Sequence, residues 1–287
     1  MQLNYLGPTG TFSEAAAHAF ALDAPALNPC DSIARVVERV AAGDGAGVVP
    51  YYNLIDGLVQ ESLDRILHAN LRIHGALQLP VSFTLGGSAR VTEDAPIYSH
   101  AKALAQCSDY LDAHHAHRPR IAVASTAEGV ARAVAEDALA VASRASFQAR
   151  RAPVVCEDVT NRYFGRQNYT EFLLIDRVDS QKSYTRNVAD RCVLACAPQT
   201  DRPGLLADLL GQLAFFDINL ARIHSRPAIA AAPTTLDPQV FYFEIAGAVP
   251  ANVFSICAQS LTLALGGNAD TPVLFDLGQY ALTTLPA

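Results

Sequence analysis

A hydroxyl and a carboxylate stand side by side where a buried strand is predicted to begin, in the segment QNYTEFLLID. Thr170 and Glu171 come directly before the apolar run FLLI, which ends at Asp176. The threonine hydroxyl could donate a proton to a leaving group, or the residue could simply be a β-branched one that favours strands. A site for anions would require the charge of Glu171 to be paired or turned away.

Two predicted helix starts share a second pattern. Thr11 with Glu14, and Ser125 with Glu128, both fit the capping box, a hydroxyl followed three residues later by a glutamate. The free N–H groups and the positive dipole end of such a helix could hold substrate carboxylates. The simpler interpretation is that each box caps its helix and does nothing more.

Other polar residues stand at the ends of predicted strands. Asn53 follows a strand that ends at Pro50, and Ser143 closes the strand ALAVAS, with Arg144 behind it. The carboxyl ends of strands in an open α/β domain face the ligand crevice, although an asparagine there is often only a turn residue. The pattern predicts a cleft lined by residues at strand-to-helix junctions or next to a strand end: Thr11, Asn53, Ser125, Thr126, Ser143 and Thr170.

The elements that must position these residues alternate between strand and helix over the first 178 residues. Apolar spacing predicts strands at 2–6, in the segment that ends at Pro50, and in RIAVAS and ALAVAS. It predicts helices from Thr11, from a cap at Asp31, at 57–68, at 101–114 and in TAEGVARAVAE. This alternation predicts parallel sheet with helices on both faces, the α/β class.

The composition changes near residue 178, and residues 179–190 are polar and predicted to be a linker. The rest, 191–287, is predicted to form strand 191–197, helix 203–216, strand 218–226, strand 239–246, helix 250–264 and strand 272–276. That order, βαββαβ, is the ferredoxin-like plan.

Composition excludes several classes of protein. Half of the 287 residues are apolar and 17% are charged, which is globular rather than disordered, and the net charge of −7 argues against nucleic-acid binding. Residues 245–269 carry no charge, but prolines, glycines and polar residues interrupt them, so we expect no membrane span. With no basic leader, no C-x-x-C pair and no histidine cluster, we expect a cytoplasmic protein with reduced cysteines, no metal and no cofactor.

Six segments, taken in order, resemble the motifs of the prephenate dehydratase family: YLGPTGTFSEAAA, GVVPYYNLIDGLVQESLDRI, YSHAKALAQCSDYL, ASTAEGVARAVA, QNYTEFLLI and DRPGLLADLLGQLAFFDINLARIHSRP. The resemblance implies a two-lobed, periplasmic-binding-protein-like catalytic domain over 1–178, with a second lobe at about 80–157. It also implies a C-terminal ACT domain over 191–287, in agreement with the βαββαβ order.

The resemblance further implies a reaction and a set of residues. Prephenate would lose carbon dioxide and hydroxide to give phenylpyruvate, with Thr170 matching the threonine of the family motif Thr-Arg-Phe and Asn53 matching its second motif. Substrate-binding residues are expected at Thr11, Tyr52, Ser125, Thr126, Ser143, Arg144 and Glu171. A phenylalanine effector is expected at Gly204, Leu205, Leu206, Asn219, His224, Ser225 and Arg226, with a homodimer or homotetramer forming through the ACT domain.

Several positions depart from the family motifs. Glu171 replaces the arginine of Thr-Arg-Phe, and in the second motif Tyr52 replaces a glutamate and Leu54 a serine or threonine. His224 replaces the glutamate of Glu-Ser-Arg-Pro, so weakened phenylalanine control is expected. Glu171 is expected either to turn into solvent or to pair with Arg144 or Arg166. Three functions stay open: a dehydratase of phenylalanine biosynthesis, a non-aromatising prephenate decarboxylase of secondary metabolism, and a non-catalytic ACT sensor.

Overall fold

The computed structural model describes residues 2–20, 26–180, 188–199, 202–227, 239–267 and 273–285. Its strands are β1 (Gln2–Leu6), β2 (Ala26–Cys30), β3 (Ala46–Asn53), β4 (Gly57–Leu58), β5 (Leu71–Pro80), β6 (Thr84–Gly87), β7 (Ile97–Ser99), β8 (Arg120–Ala122), β9 (Leu139–Ala142), β10 (Val154–Cys156), β11 (Tyr169–Arg177), β12 (Arg191–Cys196), β13 (Asn219–Pro227), β14 (Gln239–Ala246), β15 (Leu274–Tyr280) and β16 (Leu282–Thr284). Its helices are α1 (Phe12–Phe20), α2 (Ile33–Ala41), α3 (Gln60–His68), α4 (Ala101–Ala105), α5 (Ser108–His115), α6 (Thr126–Ala135), α7 (Arg144–Ala149), α8 (Leu205–Phe215) and α9 (Ala251–Ala264).

The chain folds into two units, each of which draws on separate stretches of sequence. The first consists of Met1–Leu63, Leu77–Leu174 and Thr284–Ala287, and the second of Asp64–Ala76 and Ile175–Thr283. Most of the predicted linker 179–190 lies outside the described residues.

The first sheet has the strand order β16-β5-β11-β3-β1-β2, with β4 paired to β3. β1 runs parallel to both β2 and β3, as the alternation of strands and helices predicts. β2 was not predicted because its sequence, ALNPC, contains Pro29 and lacks alternation; a proline is tolerated there because β2 is an edge strand.

The second sheet has the order β10-β6-β9-β7-β8 and helices on both faces. One face packs on a core that includes Leu104 and Leu111 of α4 and α5, and the other on a core that includes Val130 of α6 and Phe147 of α7. β7 is parallel to β8 and β9, but β6 is antiparallel to β9 and β10. The prediction of parallel sheet is therefore wrong here, because residues 88–96 join β6 to β7 without a crossover helix, and two strands of one sheet joined in this way can run in opposite directions.

Three predicted helix bounds are also wrong, each for a local reason. α2 is capped by Ser32, not Asp31, since the Ser32 hydroxyl accepts from Arg35 N at 3.2 Å. α3 begins at Gln60 rather than Gly57, because Gly57 and Leu58 pair with β3 as β4. The predicted helix 101–114 is two helices, because the Gln106 carbonyl accepts from Asn161 N at 2.7 Å.

The third sheet lies in the second unit and has the antiparallel order β13-β14-β12-β15. With α8 and α9 the element order is βαββαβ, which confirms the predicted order. Leu209 and Leu261 of the helices pack on Leu194 and Phe243 of the sheet, all of them buried. Within the described ranges, no helix is long and apolar enough to cross a membrane.

Candidate active site

Strand ends of the first and second sheets meet within the first unit. The Gly10 carbonyl, after β1, accepts hydrogen bonds from Ser143 Oγ and Ser146 Oγ, after β9, both at 2.8 Å. Asp56, after β3, forms an ion pair with Lys102, after β7, at 3.3 Å. Since β1 neighbours β3 and β9 neighbours β7, two adjacent strand ends of one sheet face two of the other. The ends of these strands therefore lie together, at the edge where an open α/β domain is expected to have its ligand cleft.

Thr170 and Asn53 meet at this cleft. Asn53 Nδ2 donates to Thr170 Oγ1 at 2.9 Å and to the Tyr169 carbonyl at 3.1 Å. Asn53 Oδ1 accepts from the backbone N–H groups of Ile55 and Asp56 at 3.0 and 3.1 Å. These two N–H donors fix the orientation of the amide, so its NH₂ group must face Thr170. The Thr170 oxygen is thus an acceptor towards Asn53, and its own proton can be donated in another direction.

The two predicted capping boxes are both present. Thr11 Oγ1 accepts from Glu14 N at 3.4 Å, and Glu14 in return accepts from Gly10 N at 2.7 Å. Ser125 Oγ accepts from Glu128 N at 3.1 Å, and Glu128 accepts from Ala124 N at 3.1 Å. Each helix start already holds a carboxylate, so a substrate carboxylate placed there would meet a like charge. Thr126 begins α6, after the edge strand β8.

Ser143 and Arg144 serve contacts within the protein. The buried Ser143 hydroxyl donates to Gly10, lies 3.0 Å from the Ser146 hydroxyl and caps α7. It joins the first sheet to the second, a role that the sequence does not indicate. The Arg144 side chain is exposed and forms an ion pair with Glu157.

The expectation that Glu171 turns into solvent is wrong, since the residue is only 2% exposed. Thr170 and Glu171 point to opposite faces of β11, and the face that carries Glu171 is covered by protein. The pairing expected with Arg144 is also not what forms, because Arg144 binds Glu157. Tyr52 is half-buried, and its ring centroid lies 6.4 Å from that of Tyr169.

Lys102 also lies where the strand ends of the two sheets meet, and none of the sequence motifs points to it. Its backbone N–H donates to Nδ1 of His100, the cap of α4, at 3.3 Å. The signal was the segment YSHAK at a predicted strand end, which places a cation two residues after His100.

The residues expected to bind an effector lie in the second unit, at two places. Gly204 has φ +83° and precedes α8, where Leu205 and Leu206 pack into the core. The others are on β13: Asn219, His224, Ser225 and Arg226.

On β13, alternate residues point to opposite faces, so His224 and Arg226 lie on one face and Ser225 on the other. Arg226 Nη2 lies 3.1 Å from Asp64 Oδ2, and the Tyr242 hydroxyl donates to Asp64 Oδ1 at 3.0 Å. Burial, followed by the charge of Arg222, lowers the pKa of His224, so the ring is neutral at pH 7. The histidine thus removes the negative charge of the family glutamate without adding a positive one.

Among the described residues, no three His, Cys, Asp or Glu side chains are grouped so that they could hold a metal ion.

The fold and the cleft define an α/β protein with a polar site between two sheets and a separate βαββαβ unit. A family model described as prephenate dehydratase matches residues 3–180. The prephenate dehydratase of Methanocaldococcus jannaschii is 32% identical over 247 residues, which cover 84% of this chain and 86% of that protein. The chain belongs to the prephenate dehydratase family.

Two further proteins are similar over most of this chain. The bifunctional chorismate mutase/prephenate dehydratase of Stutzerimonas stutzeri is 32% identical over 232 residues, 79% of this chain and 61% of that protein. The chain therefore spans about three fifths of the length of that bifunctional relative. A crystal structure of prephenate dehydratase in complex with L-Phe from Arthrobacter aurescens superposes with a TM-score of 0.82 at 27% identity, covering 98% of this chain and 90% of that one.

Proposed function

We propose that the protein is a lyase that converts prephenate to phenylpyruvate, a step of phenylalanine biosynthesis. The observation that carries the proposal is the hydrogen bond from Asn53 Nδ2 to Thr170 Oγ1, at 2.9 Å, in the cleft between the first two sheets. Membership of the prephenate dehydratase family supplies the substrate class.

The reaction asks little covalent chemistry of the protein. The carbon–carbon bond to the ring carboxylate breaks, carbon dioxide leaves, and the electron pair moves through the ring to expel the ring hydroxyl. The ring becomes aromatic, and neither an oxidant nor a cofactor is needed. The protein must hold the substrate and supply a hydrogen-bond donor to the departing hydroxyl.

Thr170 is proposed as that donor and Asn53 as the residue that positions it. Because the Asn53 amide donates to the threonine oxygen, the threonine proton can point at the leaving hydroxyl. Thr11 and Tyr52 are proposed to line the cleft. Ser125 and Thr126 are proposed to do so through the start of α6.

We extend the proposal to the whole chain. Residues 1–178 would form a two-lobed, periplasmic-binding-protein-like catalytic domain, with a second lobe at about 80–157, followed by a linker at 179–190. Residues 191–287 would form an ACT domain through which the protein pairs with a second copy. The relative from Arthrobacter aurescens was solved with L-Phe, which makes phenylalanine the effector to test here.

A second candidate function is a prephenate decarboxylase that releases carbon dioxide and retains the hydroxyl. The observation that favours it is Glu171, a buried carboxylate next to Thr170 where the family motif has arginine. Without a cation at that position the hydroxide would leave less readily, since its developing negative charge would be less stabilised.

The test is incubation of the protein with prephenate while phenylpyruvate and carbon dioxide are both measured. We expect the two products in equal amounts. Carbon dioxide without phenylpyruvate would establish the decarboxylase, and binding without either product would establish a sensor.

The accompanying variants are Thr170→Val, which keeps the shape of the side chain, and Thr170→Ser, which keeps the hydroxyl. Turnover should fall by about 10²-fold or more in the valine variant, as expected for a lost proton donor, and much less in the serine variant. Equal turnover in wild type and Thr170→Val would remove Thr170 from the mechanism.

A further inference from the structure

The second sheet supplies a cation to the side of the cleft where Thr170 stands. Lys102 Nζ lies 3.3 Å from Asp56 Oδ2, in the turn that follows β3. In the first sheet β3 lies between β1 and β11, and Thr170 is the second residue of β11. The other contact between the two sheets, from Ser143, reaches the end of β1. Since β3 is next to β11 and β1 is not, the contact made by Lys102 is the nearer one to Thr170.

A continuous series of contacts connects the ammonium group to the threonine hydroxyl. Lys102 pairs with the Asp56 carboxylate, and the Asp56 N–H donates to Asn53 Oδ1 at 3.1 Å. The same asparagine donates through Nδ2 to Thr170 Oγ1 at 2.9 Å. The turn that orients Thr170 is therefore the turn that Lys102 contacts.

The charges around this turn require a cation for a substrate that carries two carboxylates. Asp56 in this turn and Glu171 beside Thr170 are both acidic residues. Arg144 is bound to Glu157, and Arg162 is bound to Asp158 at 2.5 Å. These two ion pairs are exposed, as that of Lys102 is, but their carboxylates, Glu157 and Asp158, lie outside the turn that orients Thr170.

Lys102 can take a second partner. Its side chain is 65% exposed and that of Asp56 is 41% exposed, and ion pairs in such positions are weak. An ammonium group has three donors, so it can hold Asp56 and a ligand carboxylate together or exchange one for the other.

The chemistry decides which of the two prephenate carboxylates a cation should hold. The ring carboxylate loses its charge as carbon dioxide forms, so a cation bound to it would stabilise the substrate more than the transition state. The carboxylate of the 2-oxo acid side chain keeps its charge throughout and remains in phenylpyruvate. A cation on that group binds substrate without opposing the reaction.

We propose that Lys102 binds the side-chain carboxylate of prephenate and is a cation of the substrate site, supplied from the side of the second sheet. The proposal rests on the proposed function for the identity of the substrate. It assigns affinity, rather than bond breaking, to Lys102.

The first experiment compares Lys102→Gln, Lys102→Arg and the matched control Asp56→Asn. Calorimetric titration of Lys102→Gln should show phenylpyruvate, which keeps the side-chain carboxylate and is not turned over, binding about 10- to 100-fold more weakly, the range that a charge-assisted hydrogen bond accounts for. KM should rise in parallel while kcat changes little. Lys102→Arg should bind within a few-fold of wild type, and Asp56→Asn at least as tightly as wild type.

Two results would overturn the proposal. One is an unchanged dissociation constant in Lys102→Gln. The other is an equal loss of kcat in Lys102→Gln and Asp56→Asn, which would mean that the ion pair only fixes the Asn53 turn. If wild type binds prephenate through Lys102 without turning it over, the proposed function fails and this assignment stands. If wild type binds no prephenate, both fall.

The scarcity of lysine allows a second, direct measurement. The sequence contains two lysines, Lys102 and Lys182, the latter outside the described residues. Saturating prephenate should slow acylation of Lys102 by an amine-reactive reagent at least several-fold, as read by peptide mass spectrometry, with Lys182 as the internal reference. Equal labelling of Lys102 with and without prephenate would contradict the proposal.

Discussion

At the scale of single residues, the direction of one hydrogen bond decides what Thr170 can do. A hydroxyl that accepts from a neighbour keeps its proton for another partner, whereas a hydroxyl that donates to a neighbour does not. Asn53 accepts two backbone N–H groups through its oxygen and donates to Thr170 through its nitrogen. The asparagine is only 9% exposed, so little water competes for these bonds.

Asn53→Asp tests this direction with almost no change in shape. The aspartate can still accept from Ile55 and Asp56, but it has no N–H to give, so Thr170 must donate its proton to the new carboxylate. We expect kcat on prephenate to fall by about 10²-fold, similar to the loss of the hydroxyl itself, with KM changing much less. A kcat close to that of wild type in steady-state assays would show that the threonine proton is not used.

Glu171 belongs to the protein interior, which changes what its substitution should do. Glu171→Gln keeps the shape but replaces an acceptor oxygen with an NH₂ group in a site that is 2% exposed. We expect the free energy of unfolding to fall by about 1–3 kcal/mol, the cost of a mismatched buried polar group. Urea unfolding measures this effect, and the ratio of phenylpyruvate to carbon dioxide should not move. A changed ratio at unchanged stability would instead place Glu171 in the reaction.

At the scale of helices and strands, local sequence motifs predict the helix caps, but the sequence does not predict which strands pair. The boxes at Thr11 and Ser125 are complete within five residues, so the sequence contains all that is needed to identify them. β2 was missed and the direction of β6 was wrong, because hydrophobic spacing reports burial and not which strand lies alongside. The pairing of Lys102 with Asp56 joins residues that are distant in sequence, and only the folded chain brings them together.

Ser125→Ala tests the capping role of that element. The substitution leaves the Glu128 N–H without its acceptor, and we expect the free energy of unfolding to fall by about 1 kcal/mol. Ser32→Ala, at the cap of α2, is the matched control and should cost a similar amount. A rise in KM for prephenate in Ser125→Ala alone would give that residue a part in substrate binding as well.

At the scale of the whole chain, acidification should act on the second unit through two half-buried histidines, His74 and His224. Burial is the main cause that lowers the pKa of His74 and of His224, while the ordinary value is 6.5. The unfolded chain therefore binds protons first as the pH falls. The stability that depends on neutral rings is complete above about pH 6.5 and is lost as the pH falls through the folded-state values.

His224→Gln isolates the part due to one ring. Wild type should lose stability between pH 7.5 and pH 5, and the variant should lose less over the same interval, because its side chain does not titrate. Thermal unfolding at both pH values gives the comparison. Parallel curves for the two proteins would mean that His224 contributes nothing to the pH dependence.

The way the first sheet is assembled has a consequence for the order of events on the ribosome. β11 is inserted between β3 and β5, and β16 pairs along β5, where Thr284 Oγ1 donates to Gln78 Oε1 across 206 positions of sequence. β3 and β5 therefore stay unpaired on one edge until β11 and β16 emerge from the exit tunnel. The central strand β11 is absent from the nascent chain until about residue 177 has been made, and the edge at β5 stays open until about residue 284. During that time the exposed edges of β3 and β5 can pair with strands of another nascent chain, which leads to aggregation. The yield of folded protein should therefore depend on polysome density and on the supply of chaperones.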